Sequence, residues 1–329
     1  MTTSQRTTGN KTLSSVRFAI LNRALAGFKC EADSVMHKGR NLNIEGGVVR
    51  FRQEEGYSDS FALQWHEFQK DQYDTHNGTD LYRRRYLKET GWPDDGSLKG
   101  ELIMEAGCGA GAFSQHILSS GADLLSFDYS TAVFVANEHN RDGRVAYCQA
   151  DILDMPFEEE SFDKVFCHGV LQHTPDPKGS FLALCGMVKP GGRISVDVYK
   201  KDFKIAPWKS KRLWRWLTTR MNQQRLLRVL KWYIPKWLPI DTAIKKIPYI
   251  GGILGSVIPC WNYFRRKELS KEQLVTWAIM DTFDALAPKY DIPASLSEVR
   301  QWFKEAGFED VEVRKGGNGV VGNGRKAQK

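Results

Sequence analysis

The sequence has little cysteine and no cysteine pair with the spacing of a metal site. Its 329 residues include six cysteines, and no two of them form a C-x-x-C pair. Cys30 has no partner at zinc-site spacing, so we expect no metal site. Cys108 lies in a glycine-rich segment, where a disulfide would be awkward. The cysteines therefore predict a protein of a reducing compartment, with the cytoplasm as its expected location.

Signal-peptide patterns, simple membrane spans and internal repeats are also missing. The mildly apolar stretch 16–28 contains Arg17 and Arg23 and lacks the layout of a signal peptide. Residues 247–264 carry no charge over 18 positions, but two prolines and three glycines interrupt them. Such a composition disfavours a straight spanning helix.

The positive charge of the chain is concentrated in one segment. The net charge is +8, yet residues 199–268 hold 17 Lys or Arg against 3 Asp or Glu, which leaves the rest of the chain at −6. Six of the ten tryptophans lie in the same segment. With 41% hydrophobic residues, the chain can bury a sizeable core. We therefore predict a mildly acidic globular body with one basic, aromatic insert.

Short apolar strands alternate with helices from Leu102 onward. The predicted strands are 102–105, 124–128, 145–150, 162–167 and 193–199, and helices lie between them. Such alternation is typical of an α/β protein with a doubly wound parallel sheet. Before this region we predict a hairpin over 41–51 and helices over 58–74 and 80–90; after it, a helix over 295–306 and a final hairpin.

A glycine-rich turn follows the first of these strands. The strand ends in Glu105, and glycines follow at positions 107, 109 and 111. Glycines at this point let the backbone approach a ligand closely and turn tightly into the next helix. The pattern Gly107-x-Gly109-x-x-Ala112 also fits the dinucleotide fingerprint, so a nicotinamide cofactor stays open from the loop alone.

Two acids follow the next two strands. Asp128 ends the second strand, where a carboxylate can accept hydrogen bonds from both ribose hydroxyls of an adenosine. Asp151 follows the third strand, where it can accept from an adenine amino group while Ile152 packs on the ring. Both acids, in register after a glycine loop, indicate a cofactor that contains adenosine.

The chain resembles a known family, the class I S-adenosylmethionine-dependent methyltransferases of the type 11 group. The resemblance covers 102–199 and 295–321. It is carried by the glycine loop 102–111 and by the segments 127–130, 150–157, 161–165, 170–177 and 188–192. NAD-dependent enzymes share the loop but not this succession of motifs.

The resemblance implies a Rossmann-like, seven-stranded sheet with an antiparallel last strand, and S-adenosyl-L-methionine as cofactor. It assigns the amino-acid end of the cofactor to Glu105 and the loop residues Gly107, Cys108, Gly109 and Gly111. Asp128 and Tyr129 would take the ribose, and Asp151 and Ile152 the adenine. Cys167 and His168 would lie near the methyl group.

Two histidines are candidate catalytic residues. A methyl acceptor must be aligned behind the methyl group, and a hydroxyl acceptor also needs a base within hydrogen-bond reach. His173 and His168 both follow the fourth strand, at the expected mouth of the site, although His173 could instead pack on or cap the loop 171–177 and His168 could also have a structural role. Asp281 and Asp284 lie on one predicted helix with Trp277 and could face the acceptor, but a solvated acidic face is the favoured interpretation.

Five segments describe the expected organisation. These are a disordered tail (1–15), a hairpin and helical cap (16–98), a cofactor-binding core (99–199), a basic helical insert that covers the acceptor (200–290), and a last helix with the C-terminal hairpin (291–329). Within the insert, the pattern over 212–237 predicts one or two amphipathic helices that end at Pro235 and Pro239.

The insert leaves several interpretations open. It could lie on an anionic membrane surface, on the inner face of the membrane, and serve a lipid or lipid-linked acceptor. It could instead cover a soluble acidic small molecule such as a nucleotide sugar, or be a lid with a solvated basic face. RNA is the least favoured of these partners. We expect transfer to oxygen; an NAD-binding oxidoreductase and an inactive binding module remain as alternatives.

Overall fold

The computed structural model describes residues 13–25, 29–31, 34–37, 40–52, 56–201 and 210–328. Most of the tail predicted over 1–15 lies outside the described residues, as does part of the insert at 202–209. Among the described residues no helix combines the length and the apolar character needed to cross a membrane.

The strands form one mixed sheet. They are β1 (Lys29–Glu31), β2 (Ser34–His37), β3 (Arg40–Glu45), β4 (Val48–Arg50), β5 (Leu102–Ala106), β6 (Asp123–Asp128), β7 (Val145–Gln149), β8 (Phe162–Cys167), β9 (Val188–Val198), β10 (Phe308–Lys315) and β11 (Val320–Lys326). Their order is β1-β2-β3-β4-β7-β6-β5-β8-β9-β11-β10.

Twelve α-helices fall within the described residues. They are α1 (Ser15–Ala24), α2 (Asp59–Glu67), α3 (Asp74–Asn77), α4 (Leu81–Thr90), α5 (Ser114–Ser119), α6 (Ala132–His139), α7 (Pro177–Met187), α8 (Ser210–Thr218), α9 (Gln223–Lys245), α10 (Gly251–Leu254), α11 (Lys271–Leu286) and α12 (Leu296–Glu305). The single helix predicted over 58–74 is instead α2, a turn and the short α3.

The sheet is wider than the seven strands that the sequence predicts. The seven strands from β7 to β10 are present, and β11 runs antiparallel to both β9 and β10. The predicted N-terminal hairpin does not stay separate, because β4 pairs in parallel with β7 and carries β3 with it. Nine strands from β3 to β10 therefore form the main sheet, and β1 and β2 extend it at the β3 edge.

Helices cover both faces of the sheet. Side chains alternate between faces along each strand, so Met104 packs on one side with residues of α1, α7 and α12, while Ile103 packs on the other with residues of α4, α5 and α6. This arrangement confirms a Rossmann-like α/β fold with a mixed sheet.

A third hydrophobic cluster lies apart from the sheet, and we call it the roof. It joins Phe68, at the end of α2, to the buried faces of α9 and α11. Leu230 and Phe283 are almost fully buried within it. The N-terminal helices and the insert therefore share one apolar core, although about 160 residues separate Phe68 from Leu230 along the chain.

The insert helix α9 continues through the two prolines that we expected to end it. Pro235 and Pro239 lie inside its 23 residues. Both are exposed and four positions apart, so they share one face of the helix. The carbonyls that lose an N–H partner therefore lie on the solvent side. The opposite face, from Leu226 to Leu238, is held in the roof.

The roof yields a stability prediction. Leu230 is 1% exposed in this cluster, so Leu230→Ala should lower the free energy of unfolding by about 2–5 kcal/mol. Leu213, on α8 and 62% exposed, is the matched control, and Leu213→Ala should change it by less than about 0.5 kcal/mol. Urea unfolding measures both; equal effects would mean that the roof is not packed as described.

Candidate active site

A cavity of about 1090 Å³ opens at the carboxyl ends of the central strands, beneath the roof. Ligands of open α/β sheets bind at this edge. The strand ends contribute Gly107, Cys108, Gly109, Asp128, Tyr129, Ile152, His168 and Gly169 to its wall. The opposite wall comes from α2, α4, the insert and α11. The volume exceeds that of most sites for a single small ligand, so a cofactor and an acceptor can share it.

The loop after β5 lies against its neighbours with no room for side chains. Gly107 and Gly109 both have positive φ, at 75° and 53°. A Cβ on Gly107 would lie 2.3 Å from a methyl carbon of Val170, and one on Gly109 would lie 2.9 Å from the indole nitrogen of Trp65. Only glycine meets both demands, so the backbone itself forms this part of the wall.

Asp128 ties the loop to the end of β6. One carboxylate oxygen accepts from the Gly109 N–H at 2.9 Å, and the other accepts from the N–H and hydroxyl of Ser130 at 2.8 and 2.7 Å. Burial raises the pKa of Asp128, and these hydrogen bonds act against that rise. The carboxylate lies on the cavity wall, where the sequence predicts a partner for ribose hydroxyls.

Glu105 is buried behind the loop and does not reach the cavity wall. Its Oε2 accepts from the hydroxyls of Ser114 at 2.5 Å and Ser126 at 2.8 Å. Burial raises the pKa of Glu105 to about 7, although the hydrogen bonds from the two serines act to lower it. Its contacts connect β5, β6 and the start of α5. In the structure Glu105 positions the loop, and a direct contact with the cofactor stays a prediction.

The predicted adenine side is only partly on the cavity wall. Ile152 and Tyr129 line the cavity. Asp151 does not; it pairs with Arg52 at 3.5 Å and accepts from the Leu153 N–H at 2.9 Å. Arg52 in turn stacks over the Tyr129 ring at 3.9 Å. An adenine amino group would therefore compete with Arg52 for Asp151.

Two other predicted cofactor residues are directed elsewhere. Cys167 is fully buried in the core on the α1 and α7 face, because alternation along β8 turns it away from the site. Gly111 faces α6, where a Cβ would lie 2.6 Å from the Asn140 amide nitrogen. Neither residue lines the cavity, so Gly111 serves the packing of the loop rather than the ligand.

His168 belongs to a buried ionic network at one side of the cavity. Its Nδ1 lies 3.1 Å from Glu89 and its Nε2 lies 2.8 Å from the Ser195 hydroxyl. Arg85 donates to both Glu89 and Asp197. Burial would raise the pKa of Glu89, but the His168 hydrogen bond and the Arg85 charge lower it to about 2. Both ring nitrogens of His168 are thus engaged, which disfavours it as a base.

The same network is the one group of the described residues with the spacing of a metal site. Ligand atoms of Glu89, His168 and Asp197 lie within 4.8 Å of one another. Arg85 already donates to both carboxylates, and the backbone N–H of Gly317 donates to Glu89 at 2.7 Å. A metal ion would have to displace the guanidinium, so these contacts describe an ion-pair network.

His173 has one ring nitrogen engaged and one without a partner. Nδ1 lies 3.1 Å from the carbonyl oxygen of Tyr290, so this nitrogen carries the proton and donates. Nε2 is buried and has no hydrogen-bond partner among the described residues. The residue lines the cavity between the rings of Phe61 and Tyr199. Burial lowers the pKa of His173, which favours the neutral imidazole.

Two carboxylates from α11 face the cavity opposite the strand ends. Asp284 accepts from the Tyr199 hydroxyl at 2.6 Å, and Asp281 accepts from the Tyr263 hydroxyl. Burial raises the pKa of Asp281 to about 7, and the neighbouring Asp284 adds to that rise. The acidic pair therefore belongs to the site, and the alternative of a solvated face is wrong.

Sequence reasoning missed several residues of the wall. Tyr199 directly follows β9 at the ligand-binding edge, a position that the topology alone could have indicated. Glu89 stands four residues after Arg85 on α4, the spacing of a helical ion pair. Lys211 and the Tyr290 carbonyl had no local signal, because they reach the site only through tertiary packing.

A family of known proteins matches the central part of the chain. The sequence pattern of the type 11 "Methyltransferase domain" matches residues 104–196, the stretch that supplies the strand ends of the cavity. The chain carries a class I S-adenosylmethionine-dependent methyltransferase domain of the type 11 group. The resemblance found in the motifs is thereby confirmed. The methyltransferase domain contains the glycine loop, Asp128, Ile152 and both candidate histidines.

Relatives of known name match the same domain. A ubiquinone biosynthesis O-methyltransferase of Alkalilimnicola ehrlichii is 35% identical over 113 residues, 33% of this chain and 46% of its own length. One of Cupriavidus pinatubonensis is 33% identical over 119 residues, 35% and 48% of the two lengths. The chain thus spans about half the length of these relatives.

Similarity to solved structures is weak. A Haemonchus contortus phosphoethanolamine N-methyltransferase 2 in complex with S-adenosyl-L-methionine has a TM-score of 0.45 at 17% identity, over 85% of this chain and 48% of that one. A Methanococcus maripaludis protein described as a putative S-adenosylmethionine-dependent methyltransferase also has a TM-score of 0.45, at 14% identity, over 84% and 97%.

The raised pKa of Glu105 predicts a pH-dependent stability. A carboxyl whose folded pKa lies near 7 instead of 4.5 favours folding most below pH 4.5 and loses that contribution as the pH rises through 7. Glu105→Gln should remove this loss. The variant should gain up to about 3 kcal/mol relative to the original protein between pH 5 and pH 8.

Denaturant unfolding across that range measures the effect, with the exposed Glu138→Gln as control. A difference between Glu105→Gln and the original protein that stays constant with pH would contradict a raised pKa at Glu105.

Proposed function

We propose that the protein transfers a methyl group from S-adenosyl-L-methionine to a hydroxyl of a small-molecule acceptor. The observation that carries this proposal is the cavity itself. It brings the Gly107–Gly109 backbone, Asp128, Ile152 and the unpartnered Nε2 of His173 to one wall. The similarity to O-methyltransferases over a third of the chain supports oxygen as the acceptor atom.

The residues present fit this cofactor. The absent Cβ atoms at Gly107 and Gly109 leave backbone surface for a close approach, and the Asp128 carboxylate can accept from ribose hydroxyls. Ile152 offers an apolar side chain on which the adenine ring can pack. When bound, S-adenosylmethionine supplies an electrophilic methyl group. The task left to the protein is to position the acceptor, which can contribute about 7–11 kcal/mol.

His173 can take the proton that a hydroxyl acceptor must lose. Its Nδ1–H is fixed on the Tyr290 carbonyl, so the lone pair of Nε2 is the acceptor. Its lowered pKa keeps the imidazole neutral near pH 7, as a base requires. The charge of Asp284 acts against this burial effect and raises the pKa of His173. The same negative charge would stabilise the imidazolium after proton transfer.

A soluble acidic acceptor is the second candidate. Arg212, Lys88 and Lys200 line the cavity, and the described residues offer no hydrogen bond or ion pair to their side chains. Unpaired cations at a cavity edge favour an acceptor with a carboxylate or phosphate. This candidate concerns the choice of acceptor and leaves the chemistry unchanged. An NAD-dependent oxidoreductase and an inactive module are tested by the two experiments that follow.

Calorimetric titration with S-adenosylhomocysteine tests the cofactor. We expect binding to the original protein and about 10–100-fold weaker binding to Asp128→Asn, because a charged acceptor of hydrogen bonds is lost. Asp154→Asn, exposed and outside the cavity wall, is the matched control and should bind as the original does. Heat with NAD and none with S-adenosylhomocysteine would instead support an oxidoreductase.

Methyl transfer to a small-molecule cell extract tests the base. Labelled S-adenosylmethionine should yield a labelled product that mass spectrometry identifies. His173→Gln should lower the rate about 10²–10⁴-fold while S-adenosylhomocysteine affinity stays unchanged.

The rate of the original protein should rise with pH to a plateau reached near neutrality, because the pKa of His173 is lowered. An unchanged rate in His173→Gln would remove this histidine from the chemistry, and absence of any labelled product would support an inactive module.

A further inference from the structure

The insert presents large apolar side chains to solvent on two adjoining segments. We call the exposed side of α8 and residues 247–257 the apolar patch. Its principal members are Leu213, Trp216, Leu217, Ile250, Ile253 and Leu254, all of them exposed. Trp216 is 70% exposed and Ile253 54%, values that side chains of this size rarely keep unless something covers them.

A hydrogen bond joins the two segments that carry the patch. The indole N–H of Trp214 on α8 donates to the carbonyl oxygen of Val257 at 3.2 Å. Residues 251–255 pack closely on the end of α9, where a Cβ on Gly251 would lie 2.2 Å from the Ile244 carbonyl oxygen. Tyr249, fully exposed, has a φ of 64°, a conformation that bulky residues seldom adopt.

The patch lies on strongly basic helices. Residues 211–246 hold ten Lys or Arg and a single acid, Asp241, for a net charge of +9. Asp241 is buried and pairs with Lys245 at 2.7 Å, and acids outside this range pair with Lys211, Arg215 and Lys231. The six cations without a carboxylate partner among the described residues are Arg212, Arg220, Arg225, Arg228, Lys236 and Lys246. Arg220 stacks over the Trp216 ring at 5.1 Å, which puts a cation directly beside an exposed apolar side chain.

We propose that the apolar patch docks on the surface of an anionic lipid bilayer. Aliphatic and indole side chains would enter the region between headgroups and acyl chains, and the surrounding Lys and Arg would meet lipid phosphates. A second copy of the chain is disfavoured, because a symmetric contact would bring two surfaces of high positive charge together. RNA would use the cations but gains little from Ile250, Ile253 and Leu254.

The cavity and the patch share segments. Lys211 and Arg212 of α8 line the cavity, as does Trp261, four residues after Val257. A bilayer on the patch would therefore lie beside this part of the cavity wall. The docking does not depend on the proposed methyl transfer, and each can be tested without the other.

Co-sedimentation of the full chain with vesicles tests the docking. Vesicles of phosphatidylcholine with phosphatidylglycerol should bind the protein at low salt, and binding should weaken as salt rises; pure phosphatidylcholine should bind far less. Ile253→Ser should weaken binding about tenfold or more, because it removes an aliphatic side chain that would become buried in the bilayer on docking. Lys246→Gln, on the same insert, should weaken it about fivefold.

Matched variants outside the insert complete the experiment. Leu182→Ser on α7 and Lys304→Gln on α12, both at exposed positions, should bind vesicles within twofold of the original. S-adenosylhomocysteine binding, measured on every variant, shows that the fold is retained. The proposal is overturned if no vesicles are bound at low salt, if the controls lose as much binding as the patch variants, or if a polyuridine RNA binds more tightly than the anionic vesicles.

Discussion

The Arg85 guanidinium between Glu89 and Asp197 is the contact on which the site depends most. These two carboxylates are almost fully buried, and a buried charge without its partner costs about 3–5 kcal/mol. The network joins α4 to β9, to His168 after β8 and to Gly317 of the C-terminal hairpin. One wall of the cavity is thus fixed largely by Arg85, Glu89 and Asp197, which lie outside the matched segment 104–196, together with His168 inside it.

The opposite wall follows a different principle. Gly107 and Gly109 give up side chains so that Val170 and Trp65 can lie against the loop, and Asp128 holds the loop by its backbone. Glu105 supports it from behind through two serine hydroxyls. Backbone and buried hydrogen bonds make this wall rigid before any ligand arrives. The roof, in contrast, is assembled from buried apolar side chains of α2, α9 and α11.

Local patterns predicted the strands, the loop and the carboxyl-end position of His173, because each depends on neighbours in the chain. The hairpin of β3 and β4 was predicted, but its place in the sheet was not, because β4 pairs with β7, about 100 residues away. The partners of Asp151 and Glu105, which are Arg52, Ser114 and Ser126, could not be recognised from the sequence. The prediction that the helix ends at its two prolines was wrong, because the sequence did not reveal that both prolines lie on the solvent face of α9. In each case the missing information was a tertiary contact.

The shared core of the roof has a consequence for how such proteins could be altered. Phe68 comes from the N-terminal helices and Leu230 from the insert, yet both bury the same surface. A graft that exchanged only the insert, in order to change the acceptor, would leave Phe68 and its neighbours facing a foreign surface. The two regions would have to be transplanted together, and in natural lineages they would be expected to diverge as a pair. The N-terminal helices and the insert, which together would set the choice of acceptor, are thus distant along the chain and adjacent in space.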